Sequence, residues 1–119
     1  MNSNHTGTDL PEKEEYPKLV RDNIPGLIEK QDSKVVATRI LSDDEEFLSY
    51  LLAKIREEAE ELAEANSDEN LIEEIADVYE IIDAIVALKN IPISEITKTQ
   101  NKKREDRGGF EKRILMLNN

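Results

Sequence analysis

The 119-residue chain contains no cysteine, no tryptophan, a single histidine, four glycines and four prolines. Without cysteine, disulfides and thiolate metal sites are excluded, a zinc ribbon among them, and the composition fits a reducing cytosol. Long apolar runs are also missing. Nothing approaches the roughly 20 residues that cross a bilayer, and no basic segment followed by an apolar one opens the chain. A soluble, cytoplasmic protein with no membrane partner is expected. The one histidine, His5, lies in a polar opening stretch and reads as a bystander rather than a ligand. Cations are scarce: 16 Lys and Arg against 27 Asp and Glu give a net charge of -11. Such a charge opposes non-specific attraction to nucleic-acid polymers, so a nucleotide partner must be held by a local basic patch.

What is present is helical periodicity. Residues 1–15 form a polar arm without usable pattern, expected to be mobile, and residues 16–119 form one domain. Leu19, Ile24, Leu27 and Ile28 predict a short helix from about Pro25. Val35 to Leu41 is β-branched without a helical stripe and predicts a short strand, which the tail Phe110–Leu117 is placed to pair. Leu48, Leu51, Leu52, Ile55, Ala59 and Leu62 recur at helical spacing and predict a helix from about Asp43 to Ala65. A second long helix is expected from Asp68 to Lys89. Its apolar residues, from Ile72 to Leu88, cover much more than one face, which a small monomer hides poorly. Pro92 and Ser94 introduce a last helix that ends near Arg107, before Gly108-Gly109. The expected fold is therefore mainly all-α, a bundle of about four helices with a short two-stranded β element. Oligomerisation, as a homodimer or homotetramer, is expected to complete it.

Two acidic clusters stand on the long helices: Glu57-Glu58-Ala59-Glu60-Glu61 and Glu73-Glu74-Ile75-Ala76-Asp77. At about 100° per residue, Glu58 and Glu61 fall on one side of the first helix, with Glu58 at the rim of the apolar stripe. Glu74 and Asp77 stand above Val78, Ile81, Ala84, Ile85 and Leu88, so an acidic face continues as an apolar one. Solvated charge faces usually stay polar along their length. Four facing carboxylates would repel one another or take up protons unless a hard cation such as Mg²⁺ sits among them. Spacing accommodates a solvated surface beside Lys54 and Arg56 equally well. Glu80 and Asp83 repeat the pattern on another side, as polar contacts or supports of the site.

Near the end, Asn101 to Phe110 concentrates cations in an acidic protein. Lys103 and Arg107 share a helix face at i, i+4 and suit a polyphosphate, the Arg as a bidentate donor and the Lys as a point charge. Cations that complement a helix C-terminus give the same spacing. Lys18 and Arg21 are candidates of the same kind, as phosphate ligands or as partners of Asp or Glu.

Taken in order, Glu57-Glu58-x-x-Glu61, Glu74-x-x-Asp77 and Asn101-x-Lys103-x-x-x-Arg107 resemble the all-α nucleoside triphosphate pyrophosphohydrolases, the MazG-like and phosphoribosyl-ATP pyrophosphohydrolase superfamily. Tyr16-Pro17-Lys18-Leu19-Val20-Arg21-Asp22-Asn23-Ile24-Pro25 and Arg107-Gly108-Gly109-Phe110-Glu111-Lys112-Arg113 look like a small stand-alone, house-cleaning branch. The resemblance implies hydrolysis of the α–β bond of a nucleoside triphosphate, dependent on Mg²⁺ or alternatively Mn²⁺, with release of monophosphate and pyrophosphate. It places metal ligation on Glu58, Glu61, Glu74 and Asp77; Asn101, Lys103 and Arg107, with Lys18 and Arg21 as weaker candidates, remain the residues read for substrate binding. Glu57, next to Glu58 and at i, i+4 from Glu61, is the candidate base for the attacking water. A modified nucleoside triphosphate suits the stand-alone branch, with phosphoribosyl-ATP as the alternative. Nothing in the pattern shows which of Tyr16, Phe47, Tyr50, Tyr79 and Phe110 meets a base. The rival readings are a non-catalytic helical interaction module, which needs no metal, and a nucleotide sensor, which binds without turnover.

Overall fold

The computed structural model describes residues 16–119 and holds four helices: α1 (Ile24–Asp32), α2 (Asp44–Ala63), α3 (Asp68–Lys89) and α4 (Ile93–Arg107). The arm expected over residues 1–15, with His5, lies outside the described residues. The helix limits follow from local chemistry. Asp43 caps α2 by accepting from the Glu46 N–H at 2.9 Å, and Asp44, Glu45 and Glu46 place negative charge against the positive end of the helix dipole. Ser67 caps α3 by accepting from the Asn70 N–H at 3.1 Å. At the far end of α3, Asn90 turns left-handed (φ 54°), and the Ile91 N–H reaches back to the Val86 carbonyl at 3.1 Å. Gly108, at φ 81°, ends α4 in a conformation that L side chains rarely adopt.

With only residues 64–67 between them, α2 and α3 form an antiparallel hairpin, and theirs is the one extensive helix–helix interface among the described residues. Leu51 (4% exposed) and Ile81 (7%) are the buried apolar residues of that seam. Ile72 and Tyr79, on the broad apolar surface of α3, remain exposed, as the excess over one face predicts.

The expected strand at 35–41 and its pairing with the tail do not form; no strand occurs among the described residues. β-branched residues stabilise a sheet only by packing against a neighbouring strand. Here the segment's polar groups bond to helices instead. The Val36 N–H donates to Glu29 at 2.9 Å, and Arg39 donates to both carboxylate oxygens of Glu46 at 3.2 and 2.8 Å.

No residue of α4 is buried, and the tail that follows is exposed throughout. The radius of gyration, 17.9 Å, exceeds the value of about 13 Å for a compact chain of this length. Among the described residues, no helix is long and apolar enough to cross a membrane.

Candidate functional site

Among the described residues, the third buried side chain is not apolar. Glu58, about two turns beyond Leu51 on α2, is 8% exposed. The helical wheel sets it at the rim of the stripe; the structure draws it into the seam, because α3 crosses α2 at that level. Glu61 lies one turn further on, and Glu74 faces both from α3. One carboxylate oxygen from each of Glu58, Glu61 and Glu74 lies within 4.8 Å of the other two.

The electrostatics of the group are unfavourable as they stand. Burial pushes the Glu58 carboxyl up to about 7. The charges of Glu61 and Asp77 push the same way, and so does a hydrogen bond from the protonated form to Glu74, while Lys54 opposes them. Oε1 of Glu74 is buried without a hydrogen-bond partner. An acceptor in that state costs free energy unless something satisfies it, and a cation can. The donors are all carboxylate oxygens, the ligands that hard divalent cations take. Opposite ligands of an octahedral Mg²⁺ stand about 4.2 Å apart, so small side-chain rotations would bring these oxygens to one ion. These residues fit a divalent cation.

Asp77, one turn beyond Glu74, is close enough for its charge to act on Glu58, but its own carboxylate is engaged. Arg21 Nη2 donates to Asp77 Oδ1 at 2.7 Å. Lys18 comes from the same segment. Its ammonium lies 5.2 Å from the centre of the Tyr16 ring, and it shares a small cleft with Tyr50, Lys54 and Glu57 of α2. Glu57 therefore lines the side of α2 that meets the opening segment, next to the carboxylate cluster rather than inside it. Glu80 and Asp83 are exposed.

The cations on α4 are placed differently. Asn101, Lys103 and Arg107 are exposed on a helix without an extensive interface to α2 or α3. Within one chain, the opening segment and not the closing helix brings positive charge to the carboxylates. Lys54 and Tyr50 carry no motif. The i, i+4 spacing of Lys54 to Glu58 was the available signal for the former, and nothing in the sequence marks the latter.

A family model for phosphoribosyl-ATP pyrophosphohydrolase matches residues 26–104, about two-thirds of the chain. The match takes in both acidic clusters, Asn101 and Lys103, and leaves out Lys18, Arg21 and Arg107. Comparison with curated proteins and with solved structures returns no match.

Proposed function

The chain belongs to the phosphoribosyl-ATP pyrophosphohydrolase family, within the MazG-like all-α pyrophosphohydrolases, and on that premise we propose that it hydrolyses the α–β anhydride of a nucleotide at a divalent cation held between α2 and α3. The observation that carries this reading is the convergence of Glu58, Glu61 and Glu74 around an unpartnered, buried carboxylate oxygen. A solvated charge face has no such atom.

In the reaction, water adds across the anhydride. One phosphorus gains the hydroxyl, its bond to the bridging oxygen breaks, and that oxygen leaves with the other phosphorus; monophosphate and pyrophosphate result. Bound Mg²⁺, or Mn²⁺, supplies Lewis acidity toward the phosphate oxygens and lowers the pKa of a water. Glu58, Glu61 and Glu74 would hold the cation, with Asp77, now paired with Arg21, as the fourth carboxylate beside them. Glu57 takes the proton of the attacking water, from its place between the cluster and the cleft.

Self-association belongs to the same reading. Residues 98–113 carry seven Lys and Arg against three Asp and Glu in a chain of net charge -11. They are exposed, as are Phe110, Ile114, Leu115, Met116 and Leu117 behind them. A second copy offers both the apolar cover and the opposite charge. In such a dimer or tetramer Lys103, Arg107 and Asn101 reach the carboxylates of a neighbouring copy. The absence of cysteine supports a cytoplasmic location.

The substrate is tested with a panel of ordinary and modified nucleoside triphosphates alongside phosphoribosyl-ATP, the second reading, which the family description favours. Turnover of a modified triphosphate supports the house-cleaning role. Turnover of phosphoribosyl-ATP alone replaces it, and turnover of none, with a folded protein, leaves the sensor or the interaction module.

A further inference from the structure

Arg21 holds Asp77 at 2.7 Å, and among the described residues this is the one hydrogen bond its side chain makes. The remaining guanidinium N–H donors are available, in the planar arrangement that suits phosphate. We propose that Arg21 is a phosphate-binding residue that exchanges partners, from the Asp77 carboxylate to the phosphate chain of the nucleotide, as a divalent cation takes Asp77. This rests on the cation site proposed above.

Three observations carry it. The first is position. Asp77 is near enough to act on Glu58, and Glu58 shares the cluster with Glu61 and Glu74. A phosphate bound to a cation among these oxygens therefore lies beside the residue that Arg21 already touches. The second is the contrast between backbone and side chain. The Arg21 carbonyl accepts from the Ile24 N–H at 3.1 Å at the entry to α1, and Leu19 and Val20 are half-buried, so the main chain is fixed. The side chain is 57% exposed and that of Asp77 39%. Exposed ion pairs of this kind contribute little, so changing partner costs little. The third is charge. Four carboxylates exceed the charge of one divalent cation, and the excess repels a polyphosphate unless cations stand nearby. Among the described residues, Arg21, Lys18 and Lys54 stand at this site. Arg21 and Lys18 lie outside the span matched to the family.

The alternative is a tether: Arg21 fastens the opening segment to α3 and never meets phosphate. The two separate in binding experiments without turnover. Mn²⁺ is titrated into wild type, Arg21→Gln, Arg21→Lys and Glu58→Ala, followed by magnetic resonance of the free ion. Inorganic tripolyphosphate is then titrated into the Mn²⁺-loaded proteins by calorimetry, with circular dichroism to verify folding. Exchange predicts that Arg21→Gln binds Mn²⁺ as tightly as wild type or several-fold more tightly, because a competitor for Asp77 is gone. It also predicts that Arg21→Gln binds tripolyphosphate about ten- to a hundredfold more weakly, the loss of a charged hydrogen-bonding pair, with Arg21→Lys in between. Unchanged tripolyphosphate affinity in a folded Arg21→Gln that still binds Mn²⁺ overturns the exchange and leaves the cation site standing. Lost folding in Arg21→Gln together with unchanged tripolyphosphate affinity in Arg21→Lys assigns the tether. Wild type and Glu58→Ala binding Mn²⁺ alike would remove the cation site, and the exchange with it.

Discussion

The carboxyl groups of Glu58 and Glu74 meet across the α2–α3 seam close enough to share a proton, with one oxygen of Glu74 buried and unpartnered. Two carboxylates so placed are a liability to a folded protein unless a proton or a cation lies between them. The pairing thus links stability, pH and metal through the same few atoms.

The pH dependence of stability follows from the sign of the Glu58 shift. Its carboxyl is raised from 4.5 to about 7 in the fold, so the folded state holds the proton more tightly. The metal-free protein should be most stable below about pH 4.5 with respect to this group and should lose that contribution as pH rises through 7. The loss is on the order of 2–3 kcal/mol. Urea denaturation in chelator across this range should show the slope, and Glu58→Gln should flatten it. Added Mg²⁺ should restore stability above pH 7 in wild type and not in the variant.

Packing gives a separate expectation. Leu51 and Ile81 are the apolar residues buried in the only extensive interface among the described residues. Leu51→Ala should cost about 2–4 kcal/mol, seen as a lowered denaturation midpoint. Leu52→Ala, on the more open side of α2, should cost less.

Much of this hairpin was legible in the chain. Apolar spacing gave α2 and α3, and Asp43, Ser67 and Gly108 marked their ends and that of α4, because capping is a local effect that sequence carries. Spacing put Glu58 with Glu61, and Glu74 with Asp77, on one side of each helix, and left a solvated surface equally open. Three things were not legible. Whether Val35 to Leu41 pairs depends on a partner strand, and composition is silent about partners. How deeply Glu58 is buried depends on where α3 crosses α2. That Arg21, 56 positions from Asp77, pairs with it is a tertiary fact. The exposed α4 shows the opposite limit: its boundaries were plain, and what covers it is not encoded within one chain.

Glu57 separates chemistry from metal binding. If it accepts the proton of the attacking water, Glu57→Gln should lower kcat by about 10²- to 10⁴-fold with the affinity for Mn²⁺ unchanged. Full turnover in Glu57→Ala, beside its loss in Glu58→Ala, would pass the role to Glu61 or another carboxylate.

Self-association makes a prediction about mass and one about mixing. Light scattering should give two or four times the 13.6 kDa of the chain, and Ile72→Glu with Tyr79→Glu should reduce it. If α4 serves a neighbouring copy, Glu58→Ala and Arg107→Ala chains, each impaired alone, should recover part of the activity when refolded together. A monomeric wild type would contradict both.

The most direct test of the account is pyrophosphate release from the substrate panel by wild type and Glu58→Ala, each with Mg²⁺ and with chelator, assayed against orthophosphate. The account predicts pyrophosphate from wild type with Mg²⁺ only, falling by at least about a hundredfold in folded Glu58→Ala as the cation loses a ligand. Orthophosphate as the product, or pyrophosphate that survives both chelation and the loss of Glu58, would contradict it.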